Sequence, residues 1–396
     1  MLPFVLARVF RPTLLEVLGL SNLQLGAAYS AYGLVAVGAY FLGGPIADRF
    51  GPRRLIVIAL LATAAGGLVY TQRPSAAWLV ALYAWWGLTT ILLFWAAMLR
   101  ATREWGGTGA QGRAFGLLEG GRGLVSALLA TASVALFSAL LPGDSALVTA
   151  QDRAAAFDSV TLAATGTLVL AAALIAAVLP ESAAAASRAR RSAIKDLRRL
   201  GAMPTVWLQA LVIVCAYFAY RATDLYSQYA SDVFGYDAVS AAGVGAMSLW
   251  LRPVGAVLAG WIADRWSASR TAALAFGLVA VASLALAFPS AESHLPAAVL
   301  AIASASLGIF ALRGIYFALT AEAKVPLALT GTAVGLVSVI GYTPDIFAGP
   351  VYGYLLDRTP GAGGFRDVFL LVSACALVGL AASAAFARLT RAHAGG

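Results

Sequence analysis

Apolar runs of about 20 residues recur along this chain of 396 residues. A helix needs about 20 mostly apolar residues to cross the hydrocarbon core of a bilayer. Residues 2–19 predict the outer part of a first helix that lacks its beginning, so we expect the natural start upstream and this helix to be shorter than the one at 203–231. The other runs predict eleven full spans, at 23–47, 55–72, 76–100, 114–142, 157–180, 203–231, 238–264, 271–289, 295–321, 327–355 and 367–388.

The composition excludes a water-soluble fold. Hydrophobic residues make up 61% of the chain and charged residues only 11%, whereas soluble domains typically have about 25% charged residues. The formal charge of +9 does not indicate nucleic-acid binding, because most basic residues lie in short loops between apolar runs. No nucleophile, metal or nucleotide-binding constellation is present. We therefore predict an all-α polytopic membrane protein with no nucleic-acid partner, no metal or other cofactor and no enzyme activity.

Positive charge predicts the orientation. The one long polar segment, 181–202, predicts a basic linker between an N-terminal bundle at 1–180 and a C-terminal bundle at 203–396. With the linker in the cytoplasm, inner loops and the C-terminal tail hold 17 of the 27 Lys and Arg residues, and outer loops hold four. Cytoplasmic loops of membrane proteins carry such an excess. We expect a cytoplasmic C-terminus and residence in a bacterial inner (plasma) membrane.

Two sequence matches relate the halves. At an offset of 216, IADR at 46–49 matches IADR at 262–265, and Gly19 matches Gly235. At an offset of 219, GRAFGL at 112–117 matches GTAVGL at 331–336. Two matches at nearly one offset indicate a parallel repeat, which characterises one large transporter architecture. We predict two six-helix bundles related by a twofold axis normal to the membrane.

A charged loop follows the second apolar run and is repeated in the other half. The second copy keeps Asp264 and Arg265 but has Ser267 where the later glycine belongs. The first copy resembles the Gly-x3-Asp-Arg-x-Gly-Arg-Arg signature of the major facilitator superfamily, with Pro52 in place of one arginine. Its matching residues are Gly44, Asp48, Arg49, Gly51, Arg53 and Arg54.

This resemblance implies six-plus-six helices, alternating access and a central cavity lined mainly by helices 1, 4, 7 and 10. For the loop itself we predict a gating role. Asp48 ends a helix, where an arginine or a neighbouring helix N-terminus can bind it in one conformation and release it in the other. The alternative is that the loop only anchors the topology, which would suffice for Arg53 and Arg54.

Charged residues inside the spans predict charge pairs and proton-coupling sites. An arginine at the bilayer centre costs about 2.5–3.5 kcal/mol, so it should face a partner or a cavity. Two pairs have helical i,i+3 spacing, Glu119 with Arg122 and Arg221 with Asp224. Asp224 and Asp345 are also candidates for proton coupling, and Pro344 predicts a kink before Asp345. The alternative for Asp345 is a buried partner for an arginine.

A polar stripe on the seventh helix predicts the substrate site. Tyr217, Arg221, Asp224 and Gln228 recur at 4-3-4 spacing, which places them on one helical face. Arg8 on the first helix and Arg313 on the tenth are further cavity candidates. Arginine's forked donors suit carboxylate, sulfonate or phosphate. The alternative is that Arg221 only neutralises Asp224.

These residues predict a monomeric secondary transporter of a small organic anion, namely a carboxylate, sulfonate or phosphate ester, working as an exchanger or proton symporter. Its cavity arginines resemble those of the organic-anion branch of the superfamily. One alternative is a proton-driven exporter of drugs or other hydrophobic compounds, which needs an unpaired cavity carboxylate. A second alternative is a membrane sensor or assembly partner that transports nothing.

Overall fold

A computed structural model describes residues 2–106, 111–143, 147–180, 198–289, 295–323, 325 and 329–392. The described chain is nearly all helical. Its long helices are α1 (2–18), α2 (Asn22–Arg49), α3 (Pro52–Tyr70), α4 (76–106), α5 (Gln111–Leu140), α6 (Ala150–Val178), α7 (Pro204–Phe234), α8 (Ala238–Arg265), α9 (Ala268–Ala287), α10 (Leu295–Ile315), α11 (330–358) and α12 (Ala362–Ala392).

The helices confirm a membrane fold. Ten helices within the described residues are long and apolar enough to cross a membrane, and α2 has 28 residues as well. The first helix, α1, covers 2–18, and α7 has 31 residues. Most of the predicted linker, 181–197, lies outside the described residues. The chain is an integral membrane protein.

Several helix boundaries differ from the predicted ones because polar residues begin or end the helices. The predicted start of α6 at 157 is wrong by seven residues. Its first turn is polar, and Thr149 and Asp152 form a capping box in which each side chain accepts the other's backbone N–H. Such reciprocal bonds satisfy the unpaired donors of a helix N-terminus. Apolar length alone does not detect a polar first turn of this kind.

Prolines and turns interrupt several of the described helices. Near Pro344, where a kink was predicted, α11 is interrupted: it stops at Gly341 and resumes at Pro344. Within α1, Phe10 leaves helical geometry immediately before Arg11 and Pro12. The predicted span 295–321 is wrong at its end, since α10 stops at Ile315 and a separate short helix covers Leu319–Glu322. A proline lacks the N–H that would continue a helix.

The internal repeat is visible in local backbone conformation. Gly19 and Gly235, which match at the offset of 216, both adopt left-handed conformation, with φ of 59° and 69°. Glycine takes this conformation without steric cost and ends helices in this way. Two residues later, Ser21 caps α2 and Asp237 caps α8. The α1–α2 and α7–α8 turns therefore share one design.

The described helices form two compact units. The first unit comprises Met1–Arg188, Ser227–Met247 and Asp345–Asp357, and the second comprises the remainder of the chain. In the first unit, α3 packs on α6, and the fully buried Tyr83 and Trp86 form an aromatic core. In the second unit, α12 packs on both α7 and α9. The twofold relation between the sequence halves stays a prediction.

Candidate functional site

Arg313 lies among tyrosines in the second unit. Its guanidinium carbon is 4.0 Å from the ring centre of Tyr220 and 5.2 Å from that of Tyr217. The Tyr217 ring also packs on Tyr342, with centroids 4.8 Å apart. The hydroxyls of Tyr316 and Tyr342 share a hydrogen bond of 3.1 Å. Helices α7 and α10 and the break in α11 thus bring four tyrosines around one arginine.

The charge of Arg313 is only partly compensated by these contacts. Its Nη1 atom is buried and has no hydrogen-bond partner among the described residues. Cation–π contacts hold a guanidinium in place without neutralising it. A buried charged donor left unpaired carries a desolvation penalty. Nη1 of Arg313 is therefore a positively charged donor beside Tyr217 that has no acceptor among the described residues. Arg313 and Tyr217 both belong to the predicted substrate site.

The predicted pair of Arg221 and Asp224 forms within α7. Nη1 of Arg221 lies 2.9 Å from Oδ2 of Asp224, and both side chains are almost completely buried. A single tight turn, Thr223–Leu225, interrupts the α-helix at this point. The Thr223 hydroxyl donates to the carbonyl of Tyr220 within this turn. The ion pair therefore lies where the backbone of α7 departs from α-helical geometry.

Gln228, the last residue of the predicted stripe, is engaged with other protein groups. Its Oε1 accepts from Nε of Arg11 at 2.7 Å, and its Nε2 donates to Asp232 at 3.0 Å. Arg8 is buried nearby on α1, and its carbonyl accepts the Ser227 hydroxyl at 2.8 Å. Gln228 therefore ties α7 to α1 in this conformation.

A hydrogen-bond network continues from Arg11 to α11. Nη2 of Arg11 donates to the Asn22 side-chain oxygen at 3.0 Å. Asp357, near the end of α11, accepts from the backbone N–H groups of Asn22 and Leu23 at 3.0 and 2.8 Å. A carboxylate at a helix N-terminus is stabilised by the unpaired N–H groups and by the helix dipole. Asp357 thus binds the start of α2.

Asp345 lies in the first turn of the second part of α11 and is buried, with 8% of its surface exposed. Its backbone approaches Gly33 of α2 so closely that a Cβ at Gly33 would lie 2.6 Å from the Asp345 carbonyl carbon. Gly26 of α2 and Gly349 of α11 form a second close backbone contact of the same kind. Small residues permit such backbone approach between membrane helices. Asp345 therefore lies at a tight α2–α11 contact.

Arg100 of α4 contacts the end of α2 at the signature loop of the first half. Nη1 of Arg100, on α4, donates to the carbonyls of Ala47 and Phe50. Gly51 then precedes α3, and Pro52 occupies its first turn, where a missing N–H costs nothing. Arg54 is exposed and Arg53 half-buried. Arg49 lies over the Phe50 ring. Gly44 and the side chain of Asp48 lie outside what the structure describes.

The second copy of the loop uses different residues for similar purposes. Asp264 and Arg265 are exposed, and Arg265 lies 3.7 Å above the ring of Trp261. Ser267, which replaces the expected glycine, caps α9 by accepting the N–H of Arg270. Glu322 adds a second acceptor for the first N–H groups of α9. A capping serine explains why glycine is not needed here.

The predicted pair of Glu119 and Arg122 is only partly visible. The guanidinium carbon of Arg122 lies 4.8 Å from the centre of the Trp95 ring. The side chain of Glu119 lies outside the described residues, so the pair itself stays a prediction.

Three groups of residues were missed by sequence reasoning. Tyr220 follows Tyr217 by three positions, and this helical spacing was the only available signal for it. Asp357 and Tyr342 come from α11, and no local pattern connects them to α2 or to α10. Arg11 lies on the first helix, where no local pattern indicated its contact with Gln228.

The comparisons with known proteins agree with this architecture. Long apolar helices, buried arginines and a repeated charged loop define a polytopic membrane transporter. The chain belongs to the Major Facilitator Superfamily, because the model of that family matches residues 2–349. It is therefore a secondary transporter.

Two proteins of Escherichia coli (strain K12) are similar along most of the chain. The inner membrane protein YqcE is 25% identical over 370 residues, which cover 92% of this chain and 85% of YqcE. The inner membrane protein YihN is 26% identical over 378 residues, which cover 93% of this chain and 87% of YihN. A solved structure of the nucleoside transporter NupG (D323A mutant) is similar in fold, with a TM-score of 0.76, 15% identity and 97% of each chain covered.

Proposed function

We propose that this transporter carries a small organic anion, a carboxylate, sulfonate or phosphate ester, by alternating access as an exchanger or proton symporter. The observation that supports this proposal is the buried Nη1 of Arg313, which has no hydrogen-bond partner among the described residues. An anionic oxygen supplies the acceptor that this donor lacks. Charge-assisted hydrogen bonds of this kind are about twice as strong as neutral ones.

The tyrosines around Arg313 favour an anion over a lipophilic cation. Aromatic faces hold the guanidinium but leave its positive charge in place. A cationic ligand would be repelled by that charge, whereas a carboxylate or phosphate would be attracted. Tyr316 and Tyr342 also interact electrostatically with Arg313, so their hydroxyls are suited to orient a bound anion.

The remaining predicted residues enter the proposal with different roles. Arg8, Arg221 and Gln228 are further candidates for substrate contact, and Asp224 and Asp345 for proton coupling. The two signature loops are proposed to gate the cytoplasmic side. The inner-membrane relatives support a bacterial inner membrane as the location, and the distribution of basic residues supports a cytoplasmic C-terminus.

A ligand-stabilisation screen tests the proposal. We expect at least one carboxylate, sulfonate or phosphate ester to raise the Tm of the purified protein. Arg313→Gln should weaken its binding by more than tenfold, because a charged hydrogen bond contributes about 1.5–3 kcal/mol. Arg313→Lys should restore little, since an ammonium lacks the planar fork. Arg366→Gln, which removes an exposed arginine, is the matched control.

Two outcomes would contradict the proposal. Stabilisation by lipophilic cations alone would favour the proton-driven exporter. Unchanged anion binding by Arg313→Gln would exclude Arg313 as the ligand. A purely structural arginine is distinguished by Arg313→Met, because removing a buried unpaired donor should leave the unliganded Tm unchanged or higher.

A further inference from the structure

A groove opens between the start of α9 and the end of α12, wholly within the second unit. Its volume is about 570 Å³, and Arg270 of α9 and Arg388 and Arg391 of α12 line it. All three arginines are exposed, and no ion pair or side-chain hydrogen bond is found for them among the described residues. Three exposed arginines therefore concentrate positive charge at one groove.

The floor of the groove is apolar. Ala273 and Leu274 of α9 and Leu380 and Ala384 of α12 form it, and the small alanines leave the space between the helices. Leu274 is 58% exposed. On α9, Leu278 and Val281 continue the same exposed apolar face away from the arginines, at the spacing of one helical stripe. The charged mouth thus leads directly onto a surface suited to hydrocarbon.

The position along the membrane fits the level of the lipid headgroups. The groove lies where α9 begins and α12 ends, the end of both helices that the distribution of basic residues predicts to be cytoplasmic. Trp266 lines the same groove and is 64% exposed. Tryptophan is enriched at the membrane–water interface, where its ring is amphipathic. This orientation would place the arginines at the depth of the lipid phosphate groups.

We infer that the α9–α12 groove binds an anionic phospholipid, with the headgroup phosphate on Arg270, Arg388 and Arg391 and an acyl chain along Leu274 and Leu278. Basic pockets between helices at the cytoplasmic face are suited to anionic headgroups. A free phosphate would use the arginines but not the apolar floor. The combination of both features assigns the site to a lipid.

The first unit carries a related groove. It is smaller, about 320 Å³, and Arg53, Arg54, Val57 and Ile58 of α3 line it with Ala176 of α6. At the repeat offset of 216, Arg54 matches Arg270 and Ile58 matches Leu274. A basic residue above an apolar one thus recurs at the same place in both repeats. The groove in the second unit is distinguished by the additional Arg388 and Arg391.

Lipid retention measured by native mass spectrometry tests this inference. The purified protein is titrated with phosphatidylglycerol or phosphatidylcholine in detergent, and with inorganic phosphate as a soluble probe. The test variant is Arg270→Gln/Arg388→Gln/Arg391→Gln. The control variant, Arg73→Gln/Arg358→Gln/Arg366→Gln, removes three charges from the loops assigned to the outer side. Each basic residue contributes roughly fivefold to binding at an anionic surface, so the test variant should lose tenfold or more in phosphatidylglycerol affinity.

The remaining measurements decide whether the groove binds a lipid headgroup or free inorganic phosphate. We expect the control variant to retain wild-type affinity and phosphatidylcholine to bind weakly to all three proteins. The inference is overturned by equal phosphatidylglycerol binding in the test and control variants, or by displacement of the lipid with millimolar phosphate. Leu274→Ser provides a milder second variant. It should reduce phosphatidylglycerol retention without changing inorganic phosphate binding, and wild-type retention would exclude the acyl-chain contact.

Discussion

Asn22 and Asp357, 335 positions apart, are joined by two hydrogen bonds, one from the backbone N–H and one from the side-chain amide of Asn22. They end a network that starts at Asp232 and passes through Gln228 and Arg11. The network links α7, α1, α2 and α11 within the first unit. Helices that move against each other during alternating access would have to break it.

We therefore expect Asp357→Asn to favour conformations in which the start of α2 and the end of α11 are apart. The carboxylate accepts two backbone N–H groups at the α2 N-terminus. Loss of a charged hydrogen bond costs about 1.5 kcal/mol at the low end, which shifts a conformational equilibrium roughly tenfold. Double electron–electron resonance between spin labels at Ala27 and Tyr354 measures this shift.

Asp367→Asn is the control for that measurement. Asp367 is also a partly exposed carboxylate next to an arginine, and among the described residues it pairs with its neighbour Arg366. Its substitution should leave the distance distribution unchanged. Identical distributions for Asp357→Asn and the wild type would show that the contact does not hold the two helices together.

Close backbone contact between α2 and α11 leads to a second prediction. A Cβ at Gly26 would collide with the carbonyl of Gly349, whereas a Cβ at Gly38 would meet nothing within 4 Å. Gly26→Ala should destabilise this conformation by about 1–3 kcal/mol, the typical cost of overpacking. Gly38→Ala, on the same helix, should be neutral or stabilising because alanine favours helix. A comparison of Tm values checks this, and equal values would contradict it.

Sequence patterns were sufficient for the fold. Local periodicity and short motifs can be recognised without knowledge of tertiary contacts. The IADR repeat, the apolar runs and the signature loop are of this kind. Pro344 likewise marks the break in α11, because proline has no N–H to donate to the preceding helical turn. Helix starts such as that of α6 were missed because Thr149 and Asp152 satisfy a polar turn through side-chain bonds.

The candidate site was only partly predictable, for physical reasons. The stripe from Tyr217 to Gln228 assumed a regular α-helix, but the tight turn at Thr223–Leu225 interrupts that spacing. Tyr342 reaches the Arg313 site from a helix break on α11. Contacts between residues far apart in sequence, such as Asn22 with Asp357, leave no periodic signal in a single chain.

A third prediction concerns pH and the start of α8. Burial acts to raise the pKa of Asp237, but hydrogen bonds from the Ser240 and Val239 N–H groups and the Ser240 hydroxyl outweigh it and hold the pKa below its ordinary value. A depressed folded-state pKa gives stability that is present above the unfolded pKa and lost as pH falls through the folded pKa.

Asp237→Ala should therefore cost about 1 kcal/mol at neutral pH, the usual contribution of an N-cap. The cost should shrink as the pH falls below about 4, the ordinary range of an aspartate pKa. Tm measured against pH for the wild type and the variant checks this. Asp237→Asn, which keeps a capping oxygen, should remain close to the wild type at neutral pH. A difference between Asp237→Ala and the wild type that stays constant down to pH 3 would contradict the assignment.

The buried pair of Arg221 and Asp224 supplies the last prediction. Both side chains are at most 3% exposed, so removing one partner leaves a buried charge that has lost this ion pair. Arg221→Gln and Asp224→Asn should each destabilise the protein by about 3–5 kcal/mol, and the double variant by less than their sum. Equilibrium unfolding in mixed micelles measures these values. The exposed pair Arg366–Asp367 is the control, and its single substitutions should change stability by at most about 1 kcal/mol.

The stability of the Arg221 and Asp224 variants also decides the role of Arg221 in the substrate site. If Arg221→Gln folds with wild-type stability but loses anion binding, Arg221 serves the substrate and the structural pair is refuted. If the double variant recovers both stability and binding, Arg221 only neutralises Asp224, and Arg313 is left as the principal anion ligand.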